Sequence, residues 1–83
     1  MALEKFNNTT KALVVNDWYP NESKSYIRHF INDVQRELGF SIYNNMLRKD
    51  EIKAIVKHFG KPQTIKDEDY VQYVQRLKTL EEW

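Results

Sequence analysis

Cysteine is absent from this sequence, and the chain holds only two glycines and two prolines. Without cysteine, neither a disulfide nor a thiolate metal site can stabilise the fold, so packing of secondary structure must do so. Gly39 and Gly60 each follow an apolar helical pattern, which leaves no glycine-rich loop to bind a phosphate group. No apolar run approaches the roughly 20 residues that span a bilayer, and residues 1–6 lack a signal-peptide pattern. We expect a cytoplasmic protein that does not contact membranes.

Residues suited to catalysis or metal binding are also few. His29 and His58 are the only histidines, they lie on different predicted helices, and no His-x-x-x-His spacing occurs. The acidic run at residues 67–69 could bind a cation, but the helix dipole already favours acids in a first turn. The sequence therefore predicts a non-enzymatic protein with no cofactor, no metal site and no small-molecule substrate.

Length and composition favour one small globular domain over residues 1–83. Apolar residues make up 41% of the chain and charged residues 30%, which lies outside the disordered class. A chain of this size buries only about 60–65% of its unfolded surface, so its core is small.

Apolar periodicity predicts an all-α fold, with three main helices at about residues 21–38, 50–59 and 65–81. In each of them, apolar residues recur every three or four positions. They are Ile27, Phe30, Ile31, Val34 and Leu38 in the first helix, Ile52, Ile55, Val56 and Phe59 in the second, and Tyr70, Tyr73, Val74, Leu77 and Leu80 in the third.

Start and stop signals support these three helices. Pro20 and Asn21 are typical of a helix start, and Gly60 followed by Pro62 is typical of a helix end. The Thr64 hydroxyl is expected to cap the third helix by accepting from the Asp67 amide. The connection between the last two helices is short, which predicts an antiparallel hairpin.

Two stretches allow alternatives. Residues 40–47 favour a short helix with Ser41 as its N-cap, and the alternative is an extended segment over residues 40–43 with a turn at Asn44 and Asn45. In the N-terminal stretch, residues 13–15 favour a strand, but the wider apolar spacing fits a helix equally well. Because a lone strand would lack a partner, we expect a helix or an ordered arm packed on the bundle.

Basic residues concentrate in the middle of the chain. Residues 48–66 hold six Lys or Arg against two acids, whereas residues 67–83 hold two against five. The basic edge, as we name it, consists of Arg48, Lys49, Lys53, Lys57 and Lys61. It could bind an acidic protein surface or a phosphate backbone, or it could balance the acidic C-terminal helix within the chain.

Eleven aromatic residues exceed what a small helical core obviously needs. Aromatic side chains are common anchors of protein interfaces, so we assign partner binding to Trp18, Tyr19, Tyr26 and Tyr43. The alternative is that these rings pack at the edges of the bundle with their polar groups in water. A second copy of the chain could bind the same surface.

The favoured function is a small non-enzymatic module of regulatory, adaptor or inhibitor type that binds a protein partner or forms a homodimer. The basic edge would then steer association with an acidic surface. The alternative is a nucleic-acid-binding module in which Lys49, Lys53 and Lys57 contact phosphates. The frequent Lys, Asn and Ile are compatible with an AT-rich viral or bacterial genome.

Overall fold

The computed structural model describes residue 6 and residues 9–83 of the chain. Its elements are α1 (Lys11–Leu13), a π-helical segment that continues it (Val14–Trp18), α2 (Lys24–Glu37), α3 (Lys49–Phe59) and α4 (Asp67–Thr79). Within the described residues, β-structure is limited to one antiparallel bridge pair between Thr10 and Met46. The predicted all-α fold with three main helices is confirmed.

The core forms where α2 and α3 pack together over the π-helical segment. The predicted apolar faces supply most of it, while Leu38 and Leu80, at the ends of their patterns, are exposed. The buried apolar residues are Phe6, Val14, Val15, Trp18, Tyr19, Ile27, Ile31, Val34, Leu47, Ile52, Ile55, Val56, Ile65, Tyr73 and Leu77.

The N-terminal stretch takes the helical alternative over residues 11–18, and the expectation for residues 1–5, 7 and 8 lies outside the described residues. The Thr10 hydroxyl caps α1 by accepting from the Leu13 amide at 3.1 Å. Phe6 stacks on Tyr73 with ring centroids 3.9 Å apart and meets the Trp18 ring edge-on. These ring contacts join the N-terminal stretch to α4.

Helix α2 begins three residues later than the sequence indicated. Pro20 instead occupies a turn in which the Glu22 amide donates to the Tyr19 carbonyl at 3.0 Å, and Ser23 caps the helix. At the other end Gly39 has a φ of 80°, which lets the Phe40 amide donate back to the Gln35 carbonyl. The glycine therefore ends α2 as predicted.

Helix α3 ends at Gly60, whose φ is 90° and whose amide donates to the Val56 carbonyl at 2.8 Å. At its start the Glu51 carboxylate accepts from the Arg48 amide at 3.2 Å, half of a capping box. The acid in this first turn thus satisfies a backbone group that would otherwise lack a partner.

The predicted cap of α4 is wrong. Lys66 is the N-cap and makes no side-chain cap bond, so Thr64 does not start the helix. The reason is that residues 62–65 form a turn, with the Ile65 amide donating to the Pro62 carbonyl, which buries the Ile65 side chain. Lys61 Nζ binds the Ile65 carbonyl at 2.8 Å and keeps this turn outside the helix.

The short helix predicted at residues 40–47 is also wrong, because this segment is an irregular loop. Ser41 does not cap a helix. Its hydroxyl accepts from the Tyr43 amide at 3.1 Å, and its carbonyl accepts from the Asn44 amide, which closes a tight turn. The loop then runs antiparallel to residues 9–11, where Leu47 donates to Thr9.

Candidate functional site

Two of the four proposed aromatic anchors belong to the core. Trp18 is 1% exposed and Tyr19 is 7% exposed. The Tyr19 hydroxyl donates to the Gly60 carbonyl at 2.8 Å, and its ring lies 5.0 Å from that of Phe59. Because both side chains are buried in the core, Trp18 and Tyr19 are not part of an exposed partner surface.

Tyr26 lies on the surface in the first turn of α2, where it joins an aromatic cluster with the end of α3. Its hydroxyl lies 2.9 Å from His58 Nε2, and the His58 ring stacks on Phe30 at 4.2 Å. Phe59 meets the Tyr26 and Phe30 rings edge-on. Tyr26 and His58 therefore contact each other at the edge of the bundle, as the sequence allowed for rings that pack there.

Tyr43 is the most exposed large apolar or aromatic residue described, at 89%. It lies beyond the C-terminal end of α2, whereas Tyr26 lies near the N-terminal end. At 1.5 Å per residue, residues 26 and 38 are roughly 18 Å apart along the helix. The structure therefore does not bring the predicted anchors together, and Tyr43 belongs to a separate surface with Met46, which is also exposed.

The loop that carries Tyr43, residues 40–48, is tied to the rest of the protein along its length. The Lys11 ammonium donates to the Ile42 carbonyl at 2.7 Å, and the Lys11 amide donates to the Asn45 carbonyl at 2.7 Å. The Arg48 guanidinium lies over the Phe40 ring, 3.9 Å from its centroid. An exposed tyrosine is thus presented on a loop with a defined backbone.

A buried polar network beneath this loop was missed by the sequence analysis. Gln35 Nε2 donates to Glu51 Oε2 and to the Asn44 carbonyl, each at 3.1 Å, and Gln35 and Glu51 are fully buried. Their positions on the apolar faces could have revealed it, since Gln35 follows Ile31 by four residues and Glu51 precedes Ile55 by four.

Lys11 completes the network. Its ammonium donates to the side-chain oxygens of Gln35 and Asn32. Burial is the main cause that lowers the pKa of Lys11, and the positive charge of Arg28 lowers it further, whereas Glu51 acts in the opposite direction. Its hydrogen bonds offset part of the cost of placing a charged group beneath the loop.

The basic edge divides into two parts. Lys49, Lys53 and Lys57 follow one face of α3 and meet the C-terminal residues of the chain. Lys49 Nζ lies 3.6 Å from Glu82 Oε1, and Lys53 Nζ donates to the Glu82 carbonyl at 2.7 Å. Lys57 Nζ donates to a backbone oxygen of Trp83 at 2.8 Å and lies over its ring.

Arg48 and Lys61 make local contacts instead. Arg48 stacks on Phe40, and Lys61 pairs with Asp67 at 3.3 Å in addition to its bond to Ile65. The sequence allowed the basic edge to balance acidic charge within the chain. The pairs Lys49–Glu82 and Lys61–Asp67 show such contacts. Lys53 and Lys57 each donate to a backbone oxygen of the C-terminal residues, so a phosphate backbone would compete with these contacts.

A groove of about 530 Å³ opens beside these C-terminal residues, between α3 and α4. Its lining holds three basic, three acidic and four apolar or aromatic residues. The lining residues are Lys49, Asp50, Lys53, Tyr73, Arg76, Leu77, Leu80, Glu81, Glu82 and Trp83.

Among the described residues, no three His, Cys, Asp or Glu side chains come together as metal ligands. None of the described helices combines the length and the apolar character needed to cross a membrane. Comparisons with protein-family models, curated proteins and solved structures find no match to this chain.

Proposed function

We propose that the protein is a non-enzymatic binding module, of regulatory, adaptor or inhibitor type, that acts in the cytoplasm by contacting a protein partner. The loop of residues 40–48 is its main contact surface. The observation that carries this proposal is the 89% exposure of Tyr43 on a backbone held by buried groups.

Two physical arguments support this assignment. Tyrosine gives a large, rigid contact area with a polar tip, which is why it is common among the residues that dominate binding energy. A loop already ordered before binding also loses less conformational entropy when the partner binds. Met46 adds an adaptable apolar contact beside Tyr43.

The first experiment asks what touches the loop. Tyr43→p-benzoylphenylalanine places a photoreactive group on it in the full chain, and Val71→p-benzoylphenylalanine is the control, since Val71 is 49% exposed on α4. After irradiation in cells of the source organism, the variant at position 43 is expected to yield one protein adduct that the control lacks. Identical adducts from both positions, or nuclease-sensitive adducts from position 43, would contradict the proposal.

The second experiment measures affinity for the protein identified in this way. Tyr43→Ala is expected to weaken binding about tenfold or more, as is usual for an aromatic anchor. Tyr26→Ala removes the same residue type from the opposite end of α2 and should leave the affinity unchanged. Equal losses from both variants would show that Tyr43 is not the anchor.

A further inference from the structure

The C-terminal residues of the chain lie in a site that is larger than they fill. Glu82 and Trp83 contact Lys49, Lys53 and Lys57 through one carboxylate, two backbone oxygens and one aromatic ring. The Trp83 ring also meets Tyr73 edge-on at 6.3 Å. The groove beside them leaves about 530 Å³ open.

The lining shows what kind of molecule fits. Without residues 81–83 the lining holds Lys49, Lys53 and Arg76 against one acid, Asp50, so it remains positive, and Leu77 and Leu80 supply apolar surface. Arg76 forms no ion pair with the described residues. Lys49, Lys53 and Lys57 follow one another at about 6 Å intervals along α3. Two residues of an extended peptide span nearly the same distance, so carboxylate and backbone oxygens of a short acidic segment can reach successive lysines of the row.

The C-terminal residues are held by a mixture of partly buried and exposed contacts, since Trp83 packs against the core whereas Glu82 pairs at the surface. In the Lys49–Glu82 pair the side chains are 71% and 42% exposed, and exposed pairs of this kind contribute little to stability. Glu81 has a φ of 58°, a left-handed conformation that is unfavourable for a residue with a side chain. A competing segment that makes the same contacts without the left-handed residue could therefore displace residues 81–83.

We infer that the groove between α3 and α4 binds an acidic segment carrying an aromatic residue from a partner protein, and that residues 81–83 occupy this site within the chain. The inference extends the proposed function as a protein-binding module to a second surface. It defines the partner by its chemistry, with carboxylates for the lysine row and a ring for the Lys57 and Tyr73 side.

The test measures binding of a fluorescein-labelled peptide, Leu-Glu-Glu-Trp, to the full chain by fluorescence polarisation. Glu82→Gln/Trp83→Ala weakens the internal contacts, and Glu68→Gln is a control that makes the same charge change on α4 outside the groove. If residues 81–83 fill the site in about nine molecules of ten, the double variant binds the peptide about tenfold more tightly than the unmodified chain does. The control should bind as the unmodified chain does.

Charge reversal then locates the site. In the double variant, Lys49→Glu/Lys53→Glu/Lys57→Glu is expected to abolish peptide binding. Lys24→Glu/Lys66→Glu/Lys78→Glu makes the same charge change at exposed positions elsewhere and should retain most of the binding. Circular dichroism establishes that all variants remain helical.

Three results of the peptide measurements would overturn the inference. They are no gain of peptide affinity in the double variant, equal binding of a neutral Leu-Gln-Gln-Ala peptide, and equal loss of binding from both charge reversals.

A duplex DNA probe gives a further test. Binding of this probe but not of the peptide, with the affinity lost between about 50 and 200 mM salt, would also overturn the inference and favour phosphate contacts. None of these results depends on Tyr43, so the experiments on the loop remain a separate test.

Discussion

Gln35 and Glu51 meet inside the protein, where Gln35 Nε2 donates to Glu51 Oε2 at 3.1 Å and both side chains are fully buried. Glu51 also accepts from the Arg48 amide, and Gln35 also donates to the Asn44 carbonyl. This pair therefore joins α2, α3 and both sides of the loop that presents Tyr43. Because an unsatisfied buried polar group is costly, the pair favours one loop conformation over others.

We predict that Gln35→Met destabilises the protein by about 2–4 kcal/mol, since it leaves the Glu51 carboxylate buried without its side-chain partner. The measurement is urea unfolding at pH 7. Gln72→Met is the matched control, because Gln72 is exposed on α4 and its replacement should change the free energy of unfolding by less than about 0.5 kcal/mol. Equal unfolding midpoints for the two variants would show that the network contributes nothing.

Tyr73 should make the fold sensitive to alkaline pH. Burial raises the pKa of Tyr73 to about 12, with a smaller contribution from Tyr70, whereas a tyrosine in the unfolded chain has a pKa near 10. At a pH between these two pKa values, Tyr73 keeps its proton in the folded state and loses it in the unfolded state. Stability is therefore lost as the pH rises through this range.

Tyr73→Phe removes this effect while keeping a ring against Phe6. For a single group with these pKa values, Tyr73 contributes a loss of stability of about 1 kcal/mol at pH 11 relative to pH 8, and the variant should be spared this contribution. Burial also raises the pKa of Tyr19, and its contribution is the same in both proteins. Urea unfolding at both pH values gives the difference. Tyr43→Phe, at an exposed position, should behave like the unmodified chain, and a similar result for Tyr73→Phe would contradict burial as the cause.

The sequence predicted the three main helices because their apolar residues repeat with the helical period, and packing follows that pattern closely. It also predicted that Gly39 and Gly60 end helices, because both positions require a positive φ. The loop at residues 40–48 was not predicted. Its backbone is satisfied by groups distant in sequence, such as the Lys11 ammonium, and local propensity does not report them.

The candidate site was predicted only in part. Aromatic composition drew attention to Tyr43, but it could not separate this exposed ring from the buried Trp18 and Tyr19. The lysine row was visible from its four-residue spacing. Its contact with residues 82 and 83 depends on the position of α4, which periodicity does not give.

Glu81 adopts a left-handed conformation just after α4, where glycine is usual. The Glu82 amide donates to the Leu77 carbonyl at 2.8 Å, so the geometry matches the glycine-containing end of α2. We predict that Glu81→Gly stabilises the protein by about 1 kcal/mol by relieving the strain. Glu81→Ala removes the charge but keeps a β-carbon, and it should not stabilise. The melting temperatures of the two variants test this. If the alanine variant is stabilised as much as the glycine variant, the loss of charge is the cause and not the relief of strain.

Phe59 lies where the core meets the surface, among the rings of Tyr19, Tyr26 and Phe30. Its partial burial predicts that Phe59→Ala costs about 3 kcal/mol, the lower end of the range for removing a phenylalanine ring. Leu80→Ala is the control, because Leu80 is largely exposed beyond α4 and should cost less than about 1 kcal/mol. Urea unfolding of both variants measures the difference. An unfolding midpoint for Phe59→Ala equal to that of Leu80→Ala would remove Phe59 from the contacts that hold α2 against α3.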